Sequence, residues 1–235
     1  MQPTLFLFDI DGTLISADGA GRRALERAFL VRHGRAGALE FRFDGMTDPG
    51  IMEQALTRMG FASSSIAEES QHLLELYLEA LAEEVVSTEH YRVHPGVEQI
   101  LSELAVQEGV AIGLGTGNLE RGARIKLRRG SLDRHFAFGG FGSDHGVRSE
   151  LLRIGAERGA ALLNRPRSAC RVVVIGDTPK DIEAAHAIGA ECLAVATGHY
   201  GESELQSFSP ALVASSLAQP SARSWLLGES LAPVI

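Results

Sequence analysis

Short apolar runs separated by helical patterns constrain the fold of this chain more than any other feature of its sequence. Residues 5–8, 110–114 and 171–175 are almost continuously apolar, as in strands that are buried on both faces. Helical patterns at residues 97–107 and 148–163 lie between these runs. Strands that alternate with helices are typical of a parallel sheet covered by helices. We therefore predict an α/β protein with a doubly wound, Rossmann-like parallel sheet.

The stretch from residue 15 to residue 90 lacks this alternation and shows only helical patterns. Pro49 suits the first position of a helix, and the serine cluster at residues 63–65 predicts a break. We expect a helical cap domain at residues 15–90, inserted into an α/β core domain formed by residues 1–14 and 91–235. The helices predicted for the cap span residues 19–33, 48–59 and 66–86.

Polar side chains follow three of the predicted strands at the point where each strand ends. Asp9 and Asp11 follow the first, and alternate residues on a strand point the same way, so their carboxylates should project together. Thr116 follows the second strand and Asp177 the third, with Asp181 one turn into the next helix. In sheets of this kind ligands bind outside the carboxyl ends of the strands. We therefore expect these side chains to converge on one site.

The residue types in this predicted site suit a metal ion and a phosphate group. Four carboxylates without a histidine or a thiolate are hard oxygen ligands, which favour Mg²⁺. Thr116 is followed by Gly117, and a hydroxyl beside close backbone N–H groups suits an anion such as phosphate. Arg148, at the start of a predicted helix, is the best candidate for a cation that neutralises this anion. Together these features indicate phosphoryl transfer, in which an aspartate attacks phosphorus.

Charge and composition exclude several other classes of function. The balance of 22 basic against 30 acidic residues gives a net charge of −8, which argues against binding to nucleic acid or to anionic membranes. Two cysteines exclude a disulfide framework and a cysteine zinc site. No apolar run approaches a membrane span, and the N-terminus lacks the pattern of a secretion signal. We expect a cytoplasmic protein that is a monomer or a homodimer.

The motifs and their order resemble the haloacid dehalogenase superfamily, in the branch of phosphatases that carries a helical cap after the first strand. Asp9 to Thr13 matches the first motif of that family, Thr116 the second, and the stretch from Gly176 to Asp181 the fourth. The resemblance covers nearly the whole chain. Its overall plan is similar to that of phosphoglycolate phosphatases.

The third motif departs from the family pattern, because the family usually has a lysine there and this sequence has none nearby. Lys126 lies too far upstream, and Lys180 lies inside the fourth motif. Arg148 fits this role by its placement, and Arg153 is the alternative.

The resemblance implies a role for each matching residue. Asp9 is expected to be the nucleophile, and Asp11 to protonate the leaving oxygen and then activate water. Metal binding is expected from Asp9, the backbone carbonyl of Asp11 and Asp177, with Asp181 behind them. The residues expected to bind the transferring phosphoryl group are Thr116, Gly117, Asn118 and Arg148.

The cap is expected to close over the site and to supply contacts to a small phosphorylated metabolite. Arg22 and Thr47 are the candidates for these contacts, although Arg22 fits equally well as a solvated arginine on a helix face. A phosphotransferase similar to β-phosphoglucomutase shares every core motif and is one alternative. A catalytically silent binding or regulatory protein on the same fold is the other, and its simplest sign would be the loss of Asp9 or Asp11, both of which are present. A phosphonate hydrolase would need a cap lysine, and residues 1–124 contain none.

Overall fold

The computed structural model of the protein describes residues 2–229, and within this range it confirms the predicted fold class. The strands are β1 (Thr4–Phe8), β2 (Ile15–Ser16), β3 (Arg92–Val93), β4 (Val110–Thr116), β5 (Phe138–Phe141), β6 (Arg171–Gly176), β7 (Glu191–Val195) and β8 (Leu212–Ala214). Six of them form one parallel sheet in the order β5-β4-β1-β6-β7-β8, while β2 and β3 form a separate antiparallel pair.

Helices connect these strands and cover the sheet. They are α1 (Ala20–His33), α2 (Asp48–Arg58), α3 (Ser63–Ser87), α4 (Val97–Ala105), α5 (Glu120–Arg129), α6 (Arg148–Leu162), α7 (Pro179–Ala187), α8 (Glu202–Gln206) and α9 (Pro220–Leu227). Among the described residues, none of these helices is long and apolar enough to cross a membrane.

Strand β1 lies at the centre of the sheet, and all five of its residues are buried. Its side chains alternate between two apolar layers, because successive residues of a strand face opposite sides. Leu5 and Leu7 pack in the layer that contains α6 and α7, and Phe6 and Phe8 pack in the layer that contains α4 and α9. Burial on both faces explains why the sequence of this strand is uniformly apolar rather than alternating.

The register of β1 brings three strand ends to one edge of the sheet. Phe8 pairs with Leu114 of β4 and with Ile175 of β6. The residues that follow these three positions therefore leave the sheet side by side. The predicted convergence of Asp9, Thr116 and Asp177 follows directly from this alignment.

A helical segment, residues 20–87, lies between the short strands β2 and β3. Within it α1 and α2 both pack on α3, and α3 also contacts α5 of the sheet layer. The pair of β2 and β3 joins this segment to the sheet, with Ile15 opposite Val93 and Ser16 opposite Arg92. The sequence indicated no strand here, because two residues are too few to show a strand pattern.

Several element boundaries differ from the sequence prediction. Helix α3 begins at Ser63, so the serine cluster forms its first turn instead of a break, and the hydroxyl of Ser65 donates to the carbonyl of Ala62. A single 3₁₀ turn occupies Asp133–His135 ahead of strand β5. The short helix α8 has no counterpart among the predicted elements.

Replacing Gly140 with Ala is expected to destabilise the fold, because a Cβ atom there would overlap the carbonyl of Leu151 where α6 crosses β5. Overpacking of this kind costs about 1–3 kcal/mol, or roughly 2–4 °C in Tm for each kcal/mol at this chain length. The control is Gly146→Ala, since a Cβ atom at Gly146 meets no atom within 4 Å. Equal melting temperatures for the two variants would contradict this account of the packing.

Candidate active site

A cleft of about 950 Å³ separates the carboxyl edge of the sheet from the helical segment. The predicted site residues at its floor come from the ends of β1, β4 and β6 and from the start of α6. They are Asp9, Asp11, Thr116, Gly117, Asn118, Arg148 and Asp177.

Arg148 is buried beside Asp9, although it is the first residue of α6. Its Nη2 atom lies 3.0 Å from Asp9 Oδ2, and only 8% of the arginine surface is exposed. The alternative, Arg153, lies on the outside of the same helix and pairs with Glu150 and Glu157. The structure therefore brings Arg148, and not Arg153, to the site.

Asp181 fixes the position of Arg148. One carboxylate oxygen of Asp181 accepts hydrogen bonds from Arg148 Nε at 2.9 Å and from its Nη2. The other accepts from the backbone N–H of Thr178 at 3.0 Å and from its hydroxyl at 2.7 Å, which forms a capping box at the start of α7. Both oxygens of Asp181 are thus engaged by the protein, so its contribution to a metal site would be indirect.

The electrostatics of Asp9 reflect burial among other charges. Burial raises the pKa of Asp9 to about 6, and the neighbouring carboxylates of Asp181 and Asp11 raise it as well, whereas Arg148 and the side chain of Thr116 lower it. Burial works against the charge of Arg148, but Asp181 and Asp9 outweigh it and raise the pKa of the guanidinium. Arg148 therefore stays charged and favours the ionised form of Asp9.

Asp177 completes a group of three buried carboxylates with Asp9 and Asp181. One oxygen atom from each of the three lies within 4.8 Å of the others. The hydroxyl of Thr13 donates to Asp177 Oδ1 at 3.1 Å, and Gly12, with a φ of +83°, lets the chain after β1 turn closely against this carboxylate. Burial, Asp181 and Asp9 raise the pKa of Asp177 well above its ordinary value.

These three carboxylates fit a hard divalent cation. A single buried arginine does not balance three buried carboxylates, and an added cation would relieve their repulsion. Oxygen ligands without nitrogen or sulfur suit Mg²⁺ or a similar ion. The carboxylate of Asp11 lies outside this group, and the prediction assigns only the backbone carbonyl of Asp11 to the metal.

The side chain of Asp11 instead contacts two residues that follow β4. Its Oδ2 atom accepts hydrogen bonds from Asn118 Nδ2 at 2.9 Å and from Lys126 Nζ at 2.6 Å. Lys126 also donates to Asn118 Oδ1 at 2.6 Å, and only 4% of the lysine is exposed. Lys126 therefore contacts a predicted site residue, and the sequence analysis did not predict this contact.

Lys126 comes close to Asp11 because α5 runs back past the site. Lys126 lies on the buried face of α5 together with Gly122, Ala123 and Leu127. A lysine within that apolar spacing was the available signal, since lysine is almost never fully buried unless it is paired. Burial works against its charge, but Asp11 and Asp48 outweigh burial and raise the pKa of Lys126.

The loop after β4 is held by internal hydrogen bonds and close packing, and its binding of an anion stays a prediction. Thr116 is fully buried, and its hydroxyl oxygen accepts hydrogen bonds from the backbone N–H of Asn118 at 3.3 Å and from its side-chain amide at 2.9 Å. Gly117 packs so closely against Met46 that a Cβ atom would overlap the Met46 carbonyl. The loop is thereby held between the sheet and the helical segment.

Asp48 attaches helix α2 to this loop. Its backbone N–H donates to the carbonyl of Gly117 at 2.8 Å, and its Oδ2 atom accepts from the N–H of Leu119 at 2.9 Å. Burial raises the pKa of Asp48 to about 6, whereas Lys126, the Leu119 N–H and the side chain of Tyr77 lower it.

The two predicted cap contacts take different places. Arg22 lines the cleft, but it donates to the carbonyls of Leu39 at 2.7 Å and Phe41 at 2.8 Å and stacks on the ring of Phe43. It therefore orders the loop between α1 and α2. Thr47 does not line the cleft, and its hydroxyl accepts from the N–H of Gly50 at 3.2 Å as the cap of α2.

The model of the haloacid dehalogenase-like hydrolase family matches residues 3–189 of the chain. This chain belongs to that family. The resemblance seen in the sequence motifs is confirmed, and the protein is an enzyme of the hydrolase class.

Named relatives of this hydrolase are phosphatases. It is 29% identical over 217 residues to a phosphoglycolate phosphatase from Pseudomonas fluorescens strain Pf0-1, which covers 90% of this chain and 76% of that protein. Among solved structures, a hydrolase from Pseudomonas syringae has a TM-score of 0.68 at 23% identity, covering 92% of this chain and 94% of that chain. CbbY from Rhodobacter sphaeroides in complex with phosphate has a TM-score of 0.67 at 18% identity, covering 93% of this chain and 96% of that chain. These two structures share the fold.

Asp177→Asn is expected to weaken the binding of Mg²⁺ without destabilising the folded protein. Mg²⁺ at 100 times its Kd should stabilise the wild type by about 2.7 kcal/mol, which corresponds to several degrees in Tm, and the variant should lose most of this increase. The raised pKa means that an ionised Asp177 destabilises the fold as pH rises, so the variant should melt no lower than wild type in EDTA at neutral pH. Thermal melts with Mg²⁺ and with EDTA test this.

The matched control is Glu157→Gln, which removes one negative charge from an exposed ion pair on α6. It should keep the full response to Mg²⁺. A normal response in Asp177→Asn would mean that the three carboxylates do not hold the cation.

Proposed function

We propose that this hydrolase is a Mg²⁺-dependent phosphatase that cleaves small phosphate monoesters through an aspartyl-phosphate on Asp9. The observation that carries the proposal is the placement of Asp9 at the cleft floor, 3.0 Å from the buried cation of Arg148 and beside the loop that follows β4. A carboxylate next to a fixed cation and an anion cradle can attack a phosphorus atom whose oxygens these groups hold.

In the proposed reaction Asp9 forms a bond to phosphorus while the ester oxygen leaves. Arg148 and the loop of Thr116, Gly117 and Asn118 would bind the phosphoryl oxygens and stabilise the negative charge that develops on them. Asp181 would act by holding Arg148, as its two hydrogen bonds to the guanidinium indicate.

Asp11 would serve as the acid and then as the base. Its side chain is 46% exposed toward the cleft, whereas Asp9 is almost fully buried. A carboxyl group that lies outside the group of three buried carboxylates can give a proton to the leaving oxygen and later accept one from water. Water would then attack the aspartyl-phosphate and release inorganic phosphate.

Mg²⁺ would be held by the carboxylates of Asp9 and Asp177 and the backbone carbonyl of Asp11, with Asp181 behind them. When it is bound, it neutralises negative charge on the phosphoryl group. The raised pKa values of Asp9 and Asp177 are consistent with a site that a cation completes.

The substrate proposed is a small phosphorylated metabolite, because the helical segment covers the cleft. The relatives named phosphoglycolate phosphatase make phosphoglycolate the first compound to test. Contacts of Arg22 and Thr47 with the substrate, a cytoplasmic location, and a monomeric or homodimeric state stay predictions.

Asp9→Asn is expected to reduce turnover by about 1,000-fold or more, because it removes the attacking carboxylate. The assay measures phosphate release from p-nitrophenyl phosphate, phosphoglycolate and a panel of sugar phosphates, with Mg²⁺ and with EDTA. Acid quenching followed by peptide mass spectrometry should locate the phosphoryl group on the peptide that contains Asp9.

The control is Asp133→Asn, a half-buried carboxylate that pairs with Arg128 away from the cleft floor. It should keep wild-type turnover. Turnover by Asp9→Asn at the wild-type rate would exclude the covalent mechanism, and isomerised sugar phosphates without phosphate release would favour the phosphotransferase.

Arg148→Met is expected to move the acidic limb of the pH profile of kcat/KM to higher pH by roughly one pH unit. The reason is that Arg148 lowers the pKa of Asp9, and attack requires the ionised carboxylate. At neutral pH kcat/KM should also fall by about 100-fold or more through lost charge stabilisation. Arg153→Met, on the exposed side of α6, should change neither quantity. If the acidic limb does not move in Arg148→Met, then Arg148 does not control the ionisation of Asp9.

A further inference from the structure

Lys126 is an unusual residue in this chain. The sequence contains only two lysines, Lys126 and Lys180, while every other basic side chain apart from histidine is an arginine. Lys126 is 4% exposed and lies on the face of α5 that packs inward with Ala123 and Leu127. A charged group at such a position is costly to bury, and an apolar side chain of similar length would fill the same space. Packing therefore does not explain the presence of a lysine.

The hydrogen bonds of Lys126 point to the carboxylate of Asp11. Its Nζ atom donates to Asp11 Oδ2 and to Asn118 Oδ1, each at 2.6 Å, and Asn118 Nδ2 donates to the same Asp11 oxygen at 2.9 Å. The three side chains close a triangle in which Lys126 and Asn118 both hold Oδ2. No hydrogen-bond donor from residues 2–229 reaches Asp11 Oδ1.

This triangle makes the two oxygens of Asp11 unequal. Oδ2 faces a permanent cation and an amide donor, so a proton there would displace a hydrogen bond from one of them. Oδ1 has no such donor and belongs to a side chain that is 46% exposed in the cleft. A proton carried by Asp11 therefore resides on Oδ1, on the side that a substrate can reach.

Helix α1 and Asp48 lie beside the ammonium group of Lys126. A Cβ atom at Gly21 of α1 would lie 3.6 Å from Lys126 Nζ, which is an ordinary van der Waals distance. Asp48 raises the pKa of Lys126. A lysine ammonium can donate in three directions, so this one group can hold Asp11 and Asn118 at once.

We propose that Lys126 is a positioning residue for Asp11, which holds Oδ2 so that Oδ1 faces the leaving oxygen of the substrate. The proposal rests on the proposed phosphatase function. In the step concerned, Asp9 forms its bond to phosphorus, the bond between phosphorus and the leaving oxygen breaks, and the proton on Asp11 Oδ1 passes to that oxygen. Lys126 keeps its own protons throughout and does not touch the substrate.

The test compares two substrates that differ in their need for this proton. p-Nitrophenolate leaves without protonation, whereas the alkoxide of an alkyl phosphate such as glycerol phosphate requires it. The quantity measured is kcat/KM, because it covers only the steps through loss of the leaving group and excludes the later hydrolysis of the aspartyl-phosphate. Lys126→Met should lower kcat/KM by roughly 10- to 100-fold on the alkyl phosphate, as part of the 100- to 10,000-fold that a general acid supplies, and by less than about threefold on p-nitrophenyl phosphate.

The control is Arg128→Met, which removes one positive charge from the same helix at a side chain that is 71% exposed. It should change neither value. Lys126→Gln keeps a hydrogen-bond donor without the charge and should lose less on the alkyl phosphate than Lys126→Met. This second variant also serves if Lys126→Met fails to give a cooperative thermal transition.

A double-mutant cycle decides whether Lys126 acts through Asp11. In the Asp11→Asn background, Lys126→Met should not change the ratio of the two kcat/KM values further, because the proton donor is already absent. Equal losses on both substrates, or a further change of the ratio without Asp11, would overturn the positioning role while leaving the phosphatase function intact. A wild type inactive on both substrates would overturn the proposed function and this role together.

Discussion

Like charges held together at the carboxyl edge of a buried strand are the constraint on which the rest of this structure depends. The register of β1 with β4 and β6 forces Asp9 and Asp177 to leave the sheet side by side. Carboxylates at this spacing repel one another, and burial adds to the cost. The positive charge of Arg148 inside the site offsets part of this repulsion. Asp181 binds both Arg148 and the start of α7.

Two buried cations, Arg148 and Lys126, pair with different carboxylates at this edge of the sheet. Arg148 pairs with Asp9, and its planar group is held by Asp181 from behind. Lys126 lies on α5, the helix that follows β4, and pairs with Asp11. Two carboxylates that are only two residues apart thus have separate partners. This separation gives chemically identical side chains different surroundings, which is the condition for different roles.

Much of this organisation could be predicted from the sequence, because it depends on local patterns. The apolar run of residues 5–8 and the acidic residues after it indicate both the central strand and the site, and the alternation of helices and strands indicates the parallel sheet. Arg148 could also be placed near the site, since it begins the helix after β5. Each of these inferences needs only a short window of residues and the rule that parallel strands end at one edge.

The parts that could not be predicted depend on contacts between distant segments. Lys126 reaches Asp11 because α5 passes behind the site, and no spacing in the sequence records the direction of that helix. Arg22 lines the cleft, but its hydrogen bonds to the carbonyls of Leu39 and Phe41 could not be predicted from the sequence. Strands β2 and β3 hold only two residues each, and their pairing is visible only once the helical segment has folded.

The attachment of α2 to the loop after β4 has a consequence for how ligands enter and leave. Asp48 bonds to Gly117 and to Leu119 at once, so a swing of the helical segment about β2 and β3 must break both hydrogen bonds. At about 1 kcal/mol each, these two bonds alone favour the attached arrangement by a factor of roughly thirty. Entry of the proposed substrate and release of its product by such a swing would therefore require separating α2 from the loop that is proposed to bind the phosphoryl group.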